Sequence, residues 1–149
     1  MLIFFSFVMR LIVASLIQIM FEELPFAKQL EVITHSDVFV GVVGSSSINM
    51  IYMVPHSVVI SAMPAYQTAE FFETLARLTR IQYVTLFNTT APIISDCKDF
   101  ITSIGQVKSN IECHWAYYNA AIYIPPGQLY NQLILARDYV NFYKYHHLY

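Results

Sequence analysis

A nearly unbroken β-branched and aromatic run, Val38-Phe39-Val40-Gly41-Val42-Val43, follows Asp37 and leads into Gly44-Ser45-Ser46-Ser47, and it constrains the fold more than any other feature. A strand that is apolar at every position has no solvent face. It belongs in a sheet covered on both sides, the habit of parallel sheets flanked by helices. Asp37 to Val43 is therefore expected at the centre of such a sheet, with Val38, Phe39, Val40, Val42 and Val43 all buried.

Strand-like and helix-like stretches alternate along the rest of the chain, which predicts an α/β fold with a mostly parallel sheet and flanking helices. Pro25 can open a helix whose apolar face holds Phe26, Leu30 and Ile33, with Lys28, Gln29 and Glu31 on the polar face. After the serines, Ile48 to Tyr52 reads as helix, Pro55-His56 as a turn and Ser57 to Ala62 as a strand. A helix over Gln67 to Arg80 follows, striped by Phe71, Phe72, Leu75 and Leu78, and then the strand Gln82 to Phe87. Residues 89–116 lack periodicity and read as an irregular insertion. Ala120 to Ile124 reads as a last strand, and 126–143 as a C-terminal helix with Leu129, Leu133, Ala136 and Val140 inward.

The length of 149 residues suits a single domain spanning 1–149. Hydrophobic residues make up 56% and charged residues 12%, where a charged share of about 25% is usual. That surplus of apolar surface suggests a missing N-terminal domain or a homo-oligomer. The absence of any Lys/Arg run, with a net charge of -2, excludes nucleic acid as a partner. Residues 1–20 hold Arg10 as their one charge and are long enough for a membrane anchor, but a mid-span arginine and the β-branched content favour two buried strands, Leu2 to Phe5 and Leu16 to Phe21. Cys97 and Cys113 lack the spacing of a zinc site. They are candidates for a disulfide in an oxidising compartment, and the N-glycosylation acceptor pattern Asn88-Thr89-Thr90 points to the same secretory setting.

Ligands of open parallel sheets bind beyond the carboxyl ends of the strands, where N–H groups opening the next helix favour phosphate. Gly44, Ser45, Ser46 and Ser47 occupy that place. Small residues let the backbone approach a ligand, and hydroxyls can donate to phosphate oxygens. The same serines could equally serve as helix caps.

Three stretches, Leu24 to Glu31, Ser36 to Asn49 and Met53 to Ile60, together resemble glycosyltransferase family 61, whose members show a Phe-to-Gln helix start, a strand and a His-Gly-Ala-Gly-Leu-x-Asn-like loop. The similarity is best over 24–88, and Tyr123-Ile124-Pro125-Pro126-Gly127 fits it more loosely. It implies a Rossmann-like domain, the C-terminal half of a GT-B inverting enzyme, binding a nucleotide sugar, most simply a UDP-sugar, without a metal. The acceptor would be a glycan or protein, and the address the lumen of the Golgi or endoplasmic reticulum. Carried over by position, donor contacts fall on Gly41, Val43, Gly44, Ser45, Ser46, Ser47, Asn49 and Ser61, and Arg10 matches an arginine near the donor phosphates. Val43 stands where the family has histidine, Ser46 replaces its second glycine, Ser47 its leucine, and the acidic residue expected near Ile60 and Ser61 is missing. A valine cannot exchange a proton. No catalytic residue is assigned, because His35, His56, His114, His146 and His147 fall at a helix end, a turn, the irregular region and the C-terminus. Two functions compete: an incomplete transferase domain that binds the donor, and a non-catalytic remnant or binding domain that keeps the fold. A membrane-anchored structural protein is a third, resting on residues 1–20 alone.

Overall fold

A computed structural model describes residues 21–64, 68–87, 97, 112–113 and 123–146. The expectations for residues 1–20, Arg10 included, for Asn88, for His114 and His147, and for most of 89–116 lie outside the described residues. A short 3-10 turn, Phe21–Glu23, precedes helix α1, Phe26–Thr34. Pro25 sits just before α1, where its fixed φ suits the helix start and its missing N–H costs nothing. Its carbonyl accepts from the amides of Lys28 and Gln29 at 2.8 and 3.1 Å. Gln29, expected on the polar face, turns back instead: its Nε2 donates to the carbonyls of Phe21 and Leu24 at 2.8 and 2.9 Å, fastening the 3-10 turn to α1.

Strands β1 (Val38–Val42), β2 (Val58–Met63) and β3 (Gln82–Phe87) form a parallel three-stranded sheet in the order β1-β2-β3. Their register sets Val38, Val58 and Gln82 in one row and Gly41, Ser61 and Thr85 in another. Helix α2, Glu70–Thr79, connects β2 to β3, and α3, Pro126–His146, follows later in the chain. This is the α/β architecture with flanking helices that the alternation predicted.

The central place in the sheet is corrected. Among the described strands β2 is the middle one and β1 lies at an edge. Val58, Val59 and Ile60 are at most 1% exposed, whereas Val38, Phe39 and Val40 are half-buried and Val42 is 51% exposed. Of the five residues expected buried, Val43 alone is. The apolar run of β1 records that both faces are covered in part. It carries no information on which edge is paired, because that depends on the neighbouring strands.

Two layers cover the sheet. On one face Val59 and Phe39 meet Ile33 of α1, Met50 and Met53 of the first crossover, and Ala76 of α2. On the other, Val58, Ile60 and Leu86 meet Ala136 and Val140 of α3, with Leu129 and Leu133 packed beside them. The inward face of α3 is thus the predicted one. The stripe of α2 is not: Phe72 and Leu75 pack inward beside buried Ala76, while Phe71 and Leu78 are 63% and 78% exposed. The inward positions Ala69, Phe72 and Ala76 repeat at helical spacing, and Phe71 and Leu78 sit one residue before and two after that line. Phe26, at the first position of α1, is likewise exposed at 58%, although Leu30 and Ile33 pack as expected. Tyr123 and Ile124 are not in a strand.

The last turns of α3 meet the amino-terminal end of the sheet ahead of β1 and β2. Ser57 donates its N–H to the Val54 carbonyl at 3.1 Å around Pro55 and His56, whose φ of 69° makes this a type II turn. The His56 ring stacks on Tyr143 at 4.2 Å with planes 8° apart, and Lys144 pairs with Asp37 at 2.6 Å. Both groups of that ion pair are more than half exposed, so it contributes at most ~1 kcal/mol.

Cys97 and Cys113 are joined by a disulfide, with Cα atoms 5.5 Å apart, as their separation of 16 residues allows. Closing a loop of that length typically stabilises by about 3 kcal/mol, mainly by restricting the unfolded chain.

Candidate functional site

β1 does not stop cleanly at Val42. Val43 still donates its N–H to the Ala62 carbonyl at 2.9 Å, extending the ladder by one bond. Its side chain is 5% exposed and packs with Met63 and Ala69, flanked by Phe72 and Tyr83. Gly44 follows with extended backbone, and the chain then enters a 3-10 helix, Ser45–Tyr52. The serines expected to form a loop are therefore the first turn of the helix itself, closed by the Ser47 N–H donating to the Gly44 carbonyl at 2.9 Å. The amides of Ser45 and Ser46 open this helix, where no earlier helical carbonyl can accept them.

The 3-10 geometry explains which side chains turn inward. With three residues per turn, positions i and i+3 eclipse. Ser47, Met50 and Met53 accordingly fall on one line and are 1%, 0% and 5% exposed. Ile48 and Ile51 form a second line and are 43% and 38% exposed, and Val54, beyond the extended Met53 that ends the helix, is 57% exposed. The three-residue spacing of Met50, Met53 and Ser47 was the available sequence signal.

The structure brings Gly44, Ser45 and Ser46 together at the carboxyl end of β1, with Ser45 exposed, Ser46 half-buried and Asn49 half-buried further along the helix. It turns Val43 and Ser47 inward. Gly41 and Ser61 lie side by side within β1 and β2. A Cβ on Gly41 would come within 3.1 Å of the Phe39 ring, so glycine here makes room for that ring on the covered face. Ser61 is 1% exposed, and among the described residues neither its Oγ nor that of Ser47 has a hydrogen-bond partner.

Tyr83 was missed by sequence reasoning, which took Gln82 to Phe87 as a plain strand. It faces the same covered side as Ser61, stacked on Phe72 at 6.5 Å. Burial raises its pKa above the ordinary 10.0; Ser61 lies near enough to draw it back, and the Glu73 carboxylate pushes it further up. The Tyr83 and Ser61 hydroxyls are neighbours without meeting hydrogen-bond geometry, since both oxygens are buried and unpartnered among the described residues. The signal was a phenol in phase with Thr85 on a strand whose remaining residues after Gln82 are apolar.

A shallow groove of about 340 Å³, lined by Glu73, Ala76, Arg77, Ile81, Gln82 and Tyr83, lies between α2 and the start of β3. That is the opposite end of the sheet from Gly44 to Ser46. Its charged walls, Glu73 and Arg77, are exposed residues of one helix turn, and topology favours the carboxyl end as the place for a ligand. Among the described residues no group of three or more His, Cys, Asp or Glu gathers to hold a metal, and no helix is long and apolar enough to cross a membrane. No model of a known protein family matches the chain, and no curated protein matches it.

Proposed function

We propose that this chain is a nucleotide-binding α/β domain of glycosyltransferase family 61 type, the C-terminal half of a GT-B fold, which holds a nucleoside diphosphate or its sugar at Gly44 to Ser46 and transfers no sugar by itself. One observation carries the reading: the chain leaves β1 through Gly44 and opens a helix with the Ser45 and Ser46 amides at the carboxyl end of a parallel strand. Main-chain donors survive side-chain substitution, so a loop that has lost the family's histidine keeps this capacity. Proton transfer does not survive it. General acid–base assistance is worth ~10²–10⁴-fold, and Val43 offers a buried aliphatic group in its place.

The donor is a UDP-sugar on the strength of the resemblance, bound without a metal. A glycan or protein acceptor would need a further domain. A lumenal address in the Golgi or endoplasmic reticulum is supported by the disulfide, a bond characteristic of oxidising compartments.

Titration calorimetry with uridine diphosphate on the protein and on Ser45→Asp tests the proposal. Ser45 is exposed, and an acidic residue in a helix's first turn is well tolerated, so the variant should fold. Its carboxylate would repel a diphosphate. Binding to the original protein and its loss in the variant are expected; no heat from the folded original would show that the serines only shape the helix.

A further inference from the structure

We infer that one water molecule is held inside the protein by the hydroxyls of Ser47, Ser61 and Tyr83, between the 3-10 helix Ser45–Tyr52 and the sheet. All three oxygens are buried, and among the described residues none has a hydrogen-bond partner. Most buried polar atoms in native proteins have a partner, and where no protein group serves, an ordered water does.

The fold brings the three to one level of the covered face. Gly41, Ser61 and Thr85 make a row of small residues across the sheet, next to the row of Phe39, Val59 and Tyr83. The larger side chains lean over the small ones. The Phe39 ring fills the place over Gly41, 3.1 Å from where a Cβ would stand. Tyr83 packs against both the Val59 cluster and that of Val43 and Met63, so its ring spans the row that holds Ser61. The Ser61 hydroxyl lies near enough to the phenol to draw its raised pKa back.

Ser47 arrives from the opposite layer. Its helix runs from the carboxyl end of β1 back to the amino end of β2, and Met50 and Met53 on its inner line pack with Val59. One 3-10 turn back from Met50 is about 6 Å, and two residues on from Val59 is about 6.6 Å. Ser47 therefore meets the sheet at the level of Ser61. Each hydroxyl can donate and accept, and an internal water commonly makes about three hydrogen bonds. An ion does not suit the place, because three neutral oxygens bring no charge to compensate a buried one. The water links the first turn of the helix to β2 and β3, on the inner side of the turn whose exposed member is Ser45.

A crystal structure at a resolution that shows ordered water tests this on the unaltered protein. A water peak at about 2.6–3.1 Å from all three oxygens is expected. Ser61 bonded directly to Tyr83, with no water peak among the three hydroxyls, overturns the inference. In solution, oxygen-17 relaxation dispersion counts the water molecules that stay bound for longer than the protein takes to tumble. Ser61→Ala combined with Tyr83→Phe removes two of the three partners together, a change that buried hydroxyl pairs commonly tolerate. Circular dichroism checks that this variant is folded. It should hold one long-lived water fewer than the parent, and an equal count overturns the inference. If the double variant does not fold, the crystal structure of the parent decides alone.

Discussion

Val43 and Tyr83 show how much a single side chain's direction decides. The resemblance aligns Val43 with a histidine, and on sequence alone Val43→His reads as a repair of the site. The structure turns that side chain into the apolar cluster of Met63 and Ala69, where an imidazole would be buried with the Tyr83 phenol as the one polar group packed against the cluster among the described residues. Val43→His should therefore lower unfolding stability by about 1–3 kcal/mol, the cost of an unsatisfied buried polar group, as measured by urea denaturation. Unchanged stability would mean that the ring swings out or hydrogen-bonds the Tyr83 hydroxyl. For Tyr83 the effect is one of pH. Its folded pKa is raised above the ordinary 10.0, first by burial, so its contribution to stability is complete below that value and is lost as pH rises through the folded pKa. Denaturation curves above pH 10 should fall less steeply for Tyr83→Phe than for the parent. Some slope will remain, because burial, the neighbouring Tyr143 charge and its hydrogen bond raise Tyr139 as well. Identical pH profiles would contradict the burial of Tyr83.

At the scale of elements, the positions of strands were legible and their order was not. Gln82 to Phe87 was read to its ends, and Ser57 to Ala62 within one residue, because apolar runs between turn residues are local signals. The order β1-β2-β3 is set by pairing, to which the apolar run of β1 is blind. The crossover after Gly44 was read as loop and then helix; its 3-10 geometry hides in a period of three that an α-helical template misses. The turns were legible by chemistry, as at Pro55-His56, yet α2 ends without the usual glycine. Arg80 takes the left-handed conformation there at φ 59° and presents its carbonyl to the His56 N–H at 2.8 Å. A side chain in that conformation costs ~1–2 kcal/mol, partly offset in glycine by its greater entropy loss. Arg80→Gly should accordingly raise stability by about 0.5–1 kcal/mol, seen as a higher urea midpoint with unchanged slope. A lower midpoint would mean that the Arg80 side chain contributes more than its backbone costs.

Across the whole molecule, α3 meets one end of the sheet ahead of β1 and β2, with the groove beside β3, and the other end carries the serine turn. At the amino-terminal end Tyr143 of α3 stacks on His56, Lys144 pairs with Asp37, and the Arg80 carbonyl accepts from the His56 N–H. The candidate site was legible in outline because Gly-Ser-Ser-Ser after an apolar run marks a strand-to-helix passage wherever it occurs. Its inner members were not, since only the packing tells that Ser47 and Ser61 face the core and Ser45 faces water. The central claim is that the carboxyl-end turn binds a diphosphate through main-chain amides, and amide chemical shifts report on those atoms one by one. In a proton–nitrogen correlation spectrum titrated with uridine diphosphate, the Ser45 and Ser46 resonances should move most and saturate together, with Arg77 and Gln82 at the opposite groove unmoved. Stationary Ser45 and Ser46 amides at saturating nucleotide, or shifts confined to Arg77, Gln82 and Tyr83, would contradict it.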